Sequence, residues 1–252
     1  MNIAVITGAS SGMGREFVYQ IDRNYNLDEI WVIARRENRL NELKAKTRAI
    51  VKPIPLDLTD SDSIDIYKEK LESENPDVRL LVNAGGFGKF GNFTDIPLTE
   101  EYSMIDLNCK ALVGMTYAAL PFMKSGAKII EMSSISAFQP VPYINVYAAT
   151  KAFVLSFSRS LGVELEKKNI TVTAVCPFWV KTEFFDRAVT DDTVKYYARF
   201  LTAENVVKTA LKDAEKGKAV SVCGFANKCQ ALAAKLLPHS LVMKIWCHQQ
   251  GK

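Results

Sequence analysis

Short apolar runs that alternate with longer amphipathic stretches are the feature of this sequence that most limits its fold. The apolar runs predict seven β-strands, at Ile3–Ile6, Glu29–Ala34, Ile50–Leu56, Leu80–Asn83, Lys128–Met132, Thr171–Val175 and Lys218–Val222. Helical patterns lie between them, at Gly14–Arg23, Glu37–Thr47, Ser61–Ser73, Thr99–Met123, Val146–Lys167 and Ala203–Lys216. Strands and helices that alternate in this way form βαβ units. We therefore predict an α/β fold with a doubly wound parallel sheet of about seven strands and helices on both faces.

Composition excludes several classes of function. Of the 252 residues, 48% are hydrophobic and 24% are charged, and no charge run or low-complexity stretch interrupts the chain, so we expect one domain over residues 1–252. The net charge of +4 is too small to indicate nucleic-acid binding. Five scattered cysteines without a CxxC pair favour free thiols over a disulfide framework or a metal site. The sequence shows no signal-peptide pattern and no spanning apolar run, and we expect a cytoplasmic protein.

A glycine-rich turn follows the first predicted strand, in Thr7-Gly8-Ala9-Ser10-Ser11-Gly12-Met13-Gly14. Gly8 permits a tight turn, Gly12 lets the backbone approach a pyrophosphate, and Gly14 lets the next helix pack closely. The start of that helix offers N–H groups to an anion. The alternative is a loop without a ligand, which the strand-turn-helix context disfavours. We predict that a cofactor binds Gly8, Ser10, Ser11, Gly12, Met13 and Gly14.

The spacing Gly-x-x-x-Gly-x-Gly resembles the turn of the short-chain dehydrogenase/reductase family, whose one-domain members have about this length. The resemblance covers about residues 1–225 and implies a Rossmann-type fold and oxidoreductase activity with a nicotinamide cofactor. It further implies that Asp57, with Leu58 beside it, contacts the adenine, although Asp57 alone could equally cap the following helix.

Two motifs depart from the family pattern. Asn83-Ala84-Gly85-Gly86 stands where relatives have Asn-Asn-Ala-Gly, and Pro177-Phe178 stands where they have Pro-Gly. The resemblance still implies cofactor contacts at Asn83, Ala84, Gly85, Pro177, Val180 and Thr182. Phe178 excludes a backbone conformation that only glycine could adopt there.

The end of the second predicted strand indicates the choice of cofactor. An enzyme that selects NAD usually has an acidic residue at this point, which binds the ribose 2′-hydroxyl. Here Ala34 takes that place, and Arg35 and Arg36 follow it. A guanidinium group can bind a 2′-phosphate by charge-assisted hydrogen bonds. The pair could instead be a solvated helix start, but we predict that it binds NADP(H).

Four polar residues predict the chemistry. Tyr147 and Lys151 are four residues apart and share a helix face, and a tyrosine needs a nearby cation to exchange protons at neutral pH. Ser134 ends a predicted strand, thirteen residues before Tyr147, which matches the spacing of the family's catalytic serine and tyrosine. The resemblance implies that Ser134 positions the substrate, that Tyr147 is the acid or base, and that Lys151 orients the cofactor ribose while it lowers the pKa of the phenol. It also implies that Asn108, within a helical stretch, holds a water in a proton relay.

The segment 178–201 corresponds to the loop that covers the substrate in this family. It carries a set of aromatic residues, at Trp179, Phe184, Phe185, Tyr196, Tyr197 and Phe200. These rings could form a small core cluster, or they could line an apolar pocket under a lid that Thr190–Thr193 divides into two pieces. We predict the pocket, and with it a bulky apolar ketone or secondary alcohol such as a steroid or acyl chain.

The C-terminal extension, residues 225–252, resembles that of hydroxysteroid and long-chain 3-oxoacyl reductases. We expect it to pack beside the lid or against a second subunit, covering Leu236, Leu241, Ile245 and Trp246. A homodimer or homotetramer is expected. Two alternatives are a catalytically idle NAD(P)-binding regulatory module and a sugar-nucleotide epimerase or dehydratase. The retained polar residues argue against the first, and the chain length and glycine spacing argue against the second.

Overall fold

The computed structural model describes residues 1–252 and contains one seven-stranded parallel sheet in the order β3-β2-β1-β4-β5-β6-β7. The strands are β1 (Asn2–Thr7), β2 (Glu29–Ile33), β3 (Ile50–Ile54), β4 (Asp77–Asn83), β5 (Lys128–Met132), β6 (Thr171–Val175) and β7 (Val220–Ser221). The chain winds outward in one direction through β2 and β3 and in the other through β4 to β7. The predicted doubly wound α/β fold is confirmed.

Ten α-helices connect or follow the strands. They are α1 (Gly12–Asn24), α2 (Glu37–Asn41), α3 (Ser63–Glu74), α4 (Leu98–Ile105), α5 (Leu112–Ala119), α6 (Asn145–Glu164), α7 (Phe184–Ala188), α8 (Ala203–Glu215), α9 (Phe225–Leu236) and α10 (His239–Gln249). None of them is both long and apolar enough to cross a membrane.

The core consists of two apolar layers, one on each face of the sheet. Successive side chains of a strand point to opposite faces, so Ala4 and Ile6 of β1 pack towards α1 and α8, whereas Ile3 and Val5 pack towards α3 and α5. All four residues are fully buried. Burial on both faces explains why the central strands are apolar runs rather than alternating ones.

The helix predicted over Thr99–Met123 differs from the structure. α4 passes through a π-helical turn, Asp106–Ala111, before the chain continues as α5. The buried side chain of Asn108 lies in this turn, where it exchanges two hydrogen bonds with the backbone of Phe87. π-Helical turns often mark functional positions.

Several other boundaries shift by a few residues, and three of them show the effect of tertiary pairing or local geometry. The helix predicted over Glu37–Thr47 ends as α2 at Asn41 and continues as a 3₁₀ turn. β4 begins at Asp77 rather than Leu80, because Asp77 pairs with Asn2 of β1. β7 is only two residues long and pairs with β6 alone, at the edge of the sheet.

Candidate active site

The glycine-rich turn lies at the carboxyl end of β1, where ligands bind in open α/β sheets. Gly8 and Gly12 have φ angles of +66° and +52°, in the left-handed region. A Cβ atom on Gly14 would lie 2.2 Å from the carbonyl oxygen of Gly8. The turn therefore has no room for a side chain at Gly14. Ser11 precedes α1 without capping it through its side chain, which leaves the first N–H groups of the helix free for an anion.

A cleft of about 290 Å³ runs along this turn. Most of the predicted cofactor contacts line it: Gly8, Ser10, Ser11, Gly12, Met13, Gly14, Arg35, Arg36, Asp57, Leu58, Ala84, Gly85 and Thr182. Pro177 and Val180 line the adjoining pocket, with Tyr147 and Lys151. Asn83 lines neither cavity.

The two arginines after β2 have different partners. Arg36 donates hydrogen bonds to the side chains of Ser10 and Ser11, at 2.8–3.2 Å, and pairs with Glu183 at 2.9 Å. Arg35 is largely exposed and faces Asp57 at 3.4 Å. Hydrogen bonds from Thr59 and the charge of Arg35 hold the pKa of Asp57 below its usual value, against the effect of burial. The turn, the cleft and these guanidinium groups fit a dinucleotide with a 2′-phosphate.

Asn83 belongs to a buried polar cluster below the cleft. Its amide donates to the hydroxyl of Thr116 at 3.0 Å and to the carboxylate of Glu131 at 3.2 Å. Thr116 also donates to Glu131, at 2.9 Å. The Oδ1 atom of Asn83 and the Oε2 atom of Glu131 are buried without a protein partner.

Tyr147, Ser134 and Lys151 come together at the carboxyl ends of β5 and β6. Burial raises the pKa of Tyr147 to about 12, contrary to the lowered pKa expected beside Lys151, and a hydrogen bond with Ser134 opposes this shift. The Nζ atom of Lys151 lies 5.6 Å from the centroid of the Tyr147 ring and donates to the carbonyl oxygen of Met132 at 2.8 Å. A protonated phenol beside a serine hydroxyl can donate a proton to a carbonyl oxygen placed between them.

Lys151 is almost completely buried, and burial lowers its pKa to about 8. The negative charge of Glu131 opposes that shift. Burial in turn raises the pKa of Glu131 to about 7, against its hydrogen bonds with Thr116 and Asn83 and the charge of Lys151. The two charges thus favour one another, although no direct ion pair joins them.

Asn108 lies next to this group, but its side chain is fully engaged. It bonds the backbone of Phe87 and the hydroxyl of Thr150, the residue before Lys151. A Cβ atom on Gly86 would lie 2.9 Å from Asn108 and 3.4 Å from the ammonium group of Lys151. Asn108 therefore braces the loop after β4 against the helix that carries the lysine.

A second cavity, of about 350 Å³, opens above the phenol. Twenty of the thirty residues that line it are hydrophobic, and its polar groups include Ser134, Tyr147 and Lys151. Met13, Ala84, Gly86, Thr182 and Phe184 line both cavities, so that the cleft and the pocket are continuous.

The aromatic residues of segment 178–201 enclose this pocket together with residues outside the segment. Phe184 lies 5.5 Å from Tyr147 between ring centroids, and Trp179 lies 5.1 Å from Tyr197. Trp246 of α10 completes the wall, 6.4 Å from Trp179, and donates a hydrogen bond to Pro142. Val180 and Leu201 form a β-bridge that joins the two ends of the segment.

Comparison with known proteins assigns this arrangement to a family. A profile described as short chain dehydrogenase matches residues 2–193. The chain belongs to this family. Its members bind NAD(P) and act on alcohols or carbonyl compounds.

Individual relatives differ in substrate. Sulfoacetaldehyde reductase 2 of Chromohalobacter salexigens is 34% identical over 190 residues, 73% of this chain and 74% of that protein. The 17-beta-hydroxysteroid dehydrogenase type 3 of Mus musculus is 30% identical over 244 residues, 93% of this chain and 73% of that protein. A solved short-chain dehydrogenase from Sphingobium yanoikuyae in complex with NADPH superposes with a TM-score of 0.80 and 26% identity, over 97% of this chain and 96% of that chain.

Several residues of this dehydrogenase site were not assigned to it from the sequence. Phe90 lies between the rings of Tyr147 and Trp179, and Glu183 bridges Arg36 and Arg39. Neither carries a sequence signal. Glu131 does carry one, because a charged residue between the apolar residues Ile130 and Met132 of a strand predicts a buried ionisable group.

Proposed function

We propose that this protein is an NADP(H)-dependent oxidoreductase that interconverts a ketone and a secondary alcohol on a bulky apolar substrate. The observation that carries the proposal is the meeting of Ser134, Tyr147 and Lys151 at one end of an apolar pocket that is continuous with the dinucleotide cleft. NADPH, when bound, supplies the hydride.

In reduction, the hydroxyl of Tyr147 donates its proton to the substrate oxygen, which Ser134 holds by a hydrogen bond. The raised pKa of Tyr147 keeps the phenol protonated at neutral pH, which is the form that reduction needs. Lys151 holds a positive charge behind the phenol and binds the cofactor ribose. Asn108 fixes the loop and the helix between which a water can resupply the proton.

Cofactor preference gives the first testable prediction. Arg35→Asp is expected to weaken NADPH binding about ten- to a hundredfold while changing NADH binding little, because a charge-assisted phosphate contact contributes about 1.5–3 kcal/mol. Titration of wild type and variants with both cofactors measures this. Arg159→Ala, an exposed arginine on α6, is the matched control. Equal affinity of the wild type for NADPH and NADH contradicts NADP selection.

Substrate class gives the second prediction. The apolar lining predicts that kcat/KM rises along a series of ketones of increasing chain length, by up to about fourfold per methylene, since each buried methylene contributes about 0.8 kcal/mol. The rise should stop when the chain fills the pocket. A flat series, or a preference for polyhydroxylated or charged ketones, contradicts an apolar substrate. The name of the steroid dehydrogenase relative supports the proposal, and that of the sulfoacetaldehyde reductase shows that close relatives can differ.

An idle cofactor-binding module remains the second candidate, because the fold alone does not require turnover. Oxidation of NADPH by the purified protein with a panel of ketones separates the two. Turnover of any ketone excludes the idle module. Tight NADPH binding without turnover of steroid, acyl or small ketones favours it.

A further inference from the structure

α9 has one face that is buried against the body of the protein and an opposite, apolar face that is exposed. Asn227, Ala231 and Ala234 are buried against the body. The opposite face consists of Phe225, Cys229, Leu232 and Leu236, and all four side chains are exposed. A helix turns by about 100° per residue, so these four positions lie within about 60° of one another. They form what we call the apolar stripe.

The stripe is exposed to an unusual degree. Phe225 is 82% exposed, Leu232 is 58% exposed and Leu236 is 74% exposed. Single exposed apolar residues are common on protein surfaces, but a row of them at helical spacing marks an interaction site. We therefore infer that this face of α9 binds a partner.

The charge of the surrounding segment indicates the chemistry of that partner. Residues 224–252 contain four lysines, at Lys228, Lys235, Lys244 and Lys252, and no aspartate or glutamate. The chain has 32 lysines and arginines against 28 aspartates and glutamates, so residues 1–223 have no net charge. The whole net charge of +4 thus lies in the segment that carries the stripe. A partner that complements it is anionic.

The mouth of the substrate pocket adjoins the same helix. Gln230, Ala233 and Leu237 line the pocket. By helical geometry they lie on one side of the apolar stripe, and Lys228 and Lys235 lie on the other side. The stripe therefore separates a pair of cationic side chains from the opening of an apolar cavity.

We propose that α9 docks on an anionic lipid surface, with the apolar stripe in the headgroup region and Lys228 and Lys235 facing lipid phosphates. The ammonium group of Lys235, which lies 4.9 Å from the centroid of the Phe138 ring, turns from this ring to the lipid on docking. Helices with an apolar face flanked by lysines bind membranes in this orientation. The pocket mouth then lies beside the lipid, so that an apolar ketone passes from the bilayer to Tyr147 without crossing water; this last step rests on the proposed substrate class. A second copy fits the stripe less well, because antiparallel two-fold pairing of α9 would bring two sets of lysines together.

The test is binding of the full-length protein to vesicles without cofactor or ketone. Vesicles of phosphatidylcholine alone and vesicles with about one third phosphatidylserine are compared by sedimentation. Binding is expected to the anionic vesicles only and to fall at high salt, which screens the lysines. Leu232→Gln/Leu236→Gln should lower the partition coefficient at least about tenfold. Lys228→Gln/Lys235→Gln should lower it by a similar factor, since each lysine contributes about fivefold.

Matched controls lie elsewhere on the surface. Ile66→Gln replaces an exposed apolar residue of α3, and Lys44→Gln/Lys46→Gln removes two exposed lysines. Both should bind vesicles like the wild type, and all variants should melt at the wild-type temperature.

Two results overturn the proposal. One is the absence of binding to anionic vesicles, or binding that the stripe variant leaves unchanged. The other is a wild-type dimer that Leu232→Gln/Leu236→Gln converts to a monomer in light scattering, which makes a second copy the partner of the stripe. Because the experiment contains no cofactor or ketone, neither result bears on the proposed oxidoreductase activity.

Discussion

With phenylalanine in place of Tyr147, the protein is expected to lose turnover by about 10²- to 10⁴-fold, the contribution of a positioned general acid. Tyr147→Phe removes one oxygen atom and leaves the ring among Phe90 and Phe184, so that folding and NADPH affinity should be unchanged. Steady-state NADPH oxidation with the best ketone of the chain-length series measures the loss, and cofactor titration checks binding.

The matched control for this variant is Tyr197→Phe. Tyr197 belongs to the same aromatic cluster, with its ring 5.1 Å from that of Trp179, but its hydroxyl donates to the carbonyl oxygen of Val194 rather than reaching Ser134. The Tyr197→Phe variant should keep most of the wild-type activity. Equal losses in the two variants, or near-normal activity of Tyr147→Phe, would remove Tyr147 from the proton transfer.

The parts of this protein that could be predicted from sequence are those governed by local rules. The apolar runs predicted all seven strands, because a strand that is buried on both faces consists mainly of apolar residues. The glycine turn and the Tyr147–Lys151 pair were also predictable, because a tight turn and a helix of 3.6 residues per turn fix their geometry over a few residues. Most of the predicted cofactor contacts meet in one cleft for the same reason, since parallel strands end at the same edge.

What could not be predicted depends on contacts between distant parts of the chain. Asn83 ends a strand as expected, yet its side chain turns under the sheet to meet Thr116 and Glu131. Trp246 packs beside the lid as expected for the C-terminal extension, but Leu236, Leu241 and Ile245 of the same extension are exposed rather than covered. Nothing in the local pattern specifies these differences. The π-helical turn at Asn108 likewise depends on the backbone of Phe87, from another loop.

The buried pair of Glu131 and Lys151 leads to a prediction about stability. Lys151→Met removes the cation that lowers the pKa of the Glu131 carboxyl, so that Glu131 ionises less readily in the folded protein. The methionine also removes the cost of burying the ammonium group of Lys151, so the effect on Glu131 is measured against the double variant Lys151→Met/Glu131→Gln rather than against the wild type. Glu131→Gln in the same chain removes the titrating acid, so the double variant should gain about 2 kcal/mol over Lys151→Met between pH 5.5 and pH 7.5. Both variants should be inactive.

The pH dependence of this effect separates charge from packing. The pKa of Glu131 is raised to about 7 in the folded protein, above its unfolded value, so the acid favours folding at low pH and loses that contribution as pH rises through its folded pKa. Lys151→Met raises the folded pKa further, and its stability should fall more steeply than that of the wild type between pH 5.5 and 7.5. The double variant has no titrating acid at this position and should show the flattest profile of the three. Urea denaturation at both pH values measures this; if Lys151→Met and the double variant lose stability in parallel, the loss comes from packing around the methionine, and Glu131 and Lys151 are not coupled.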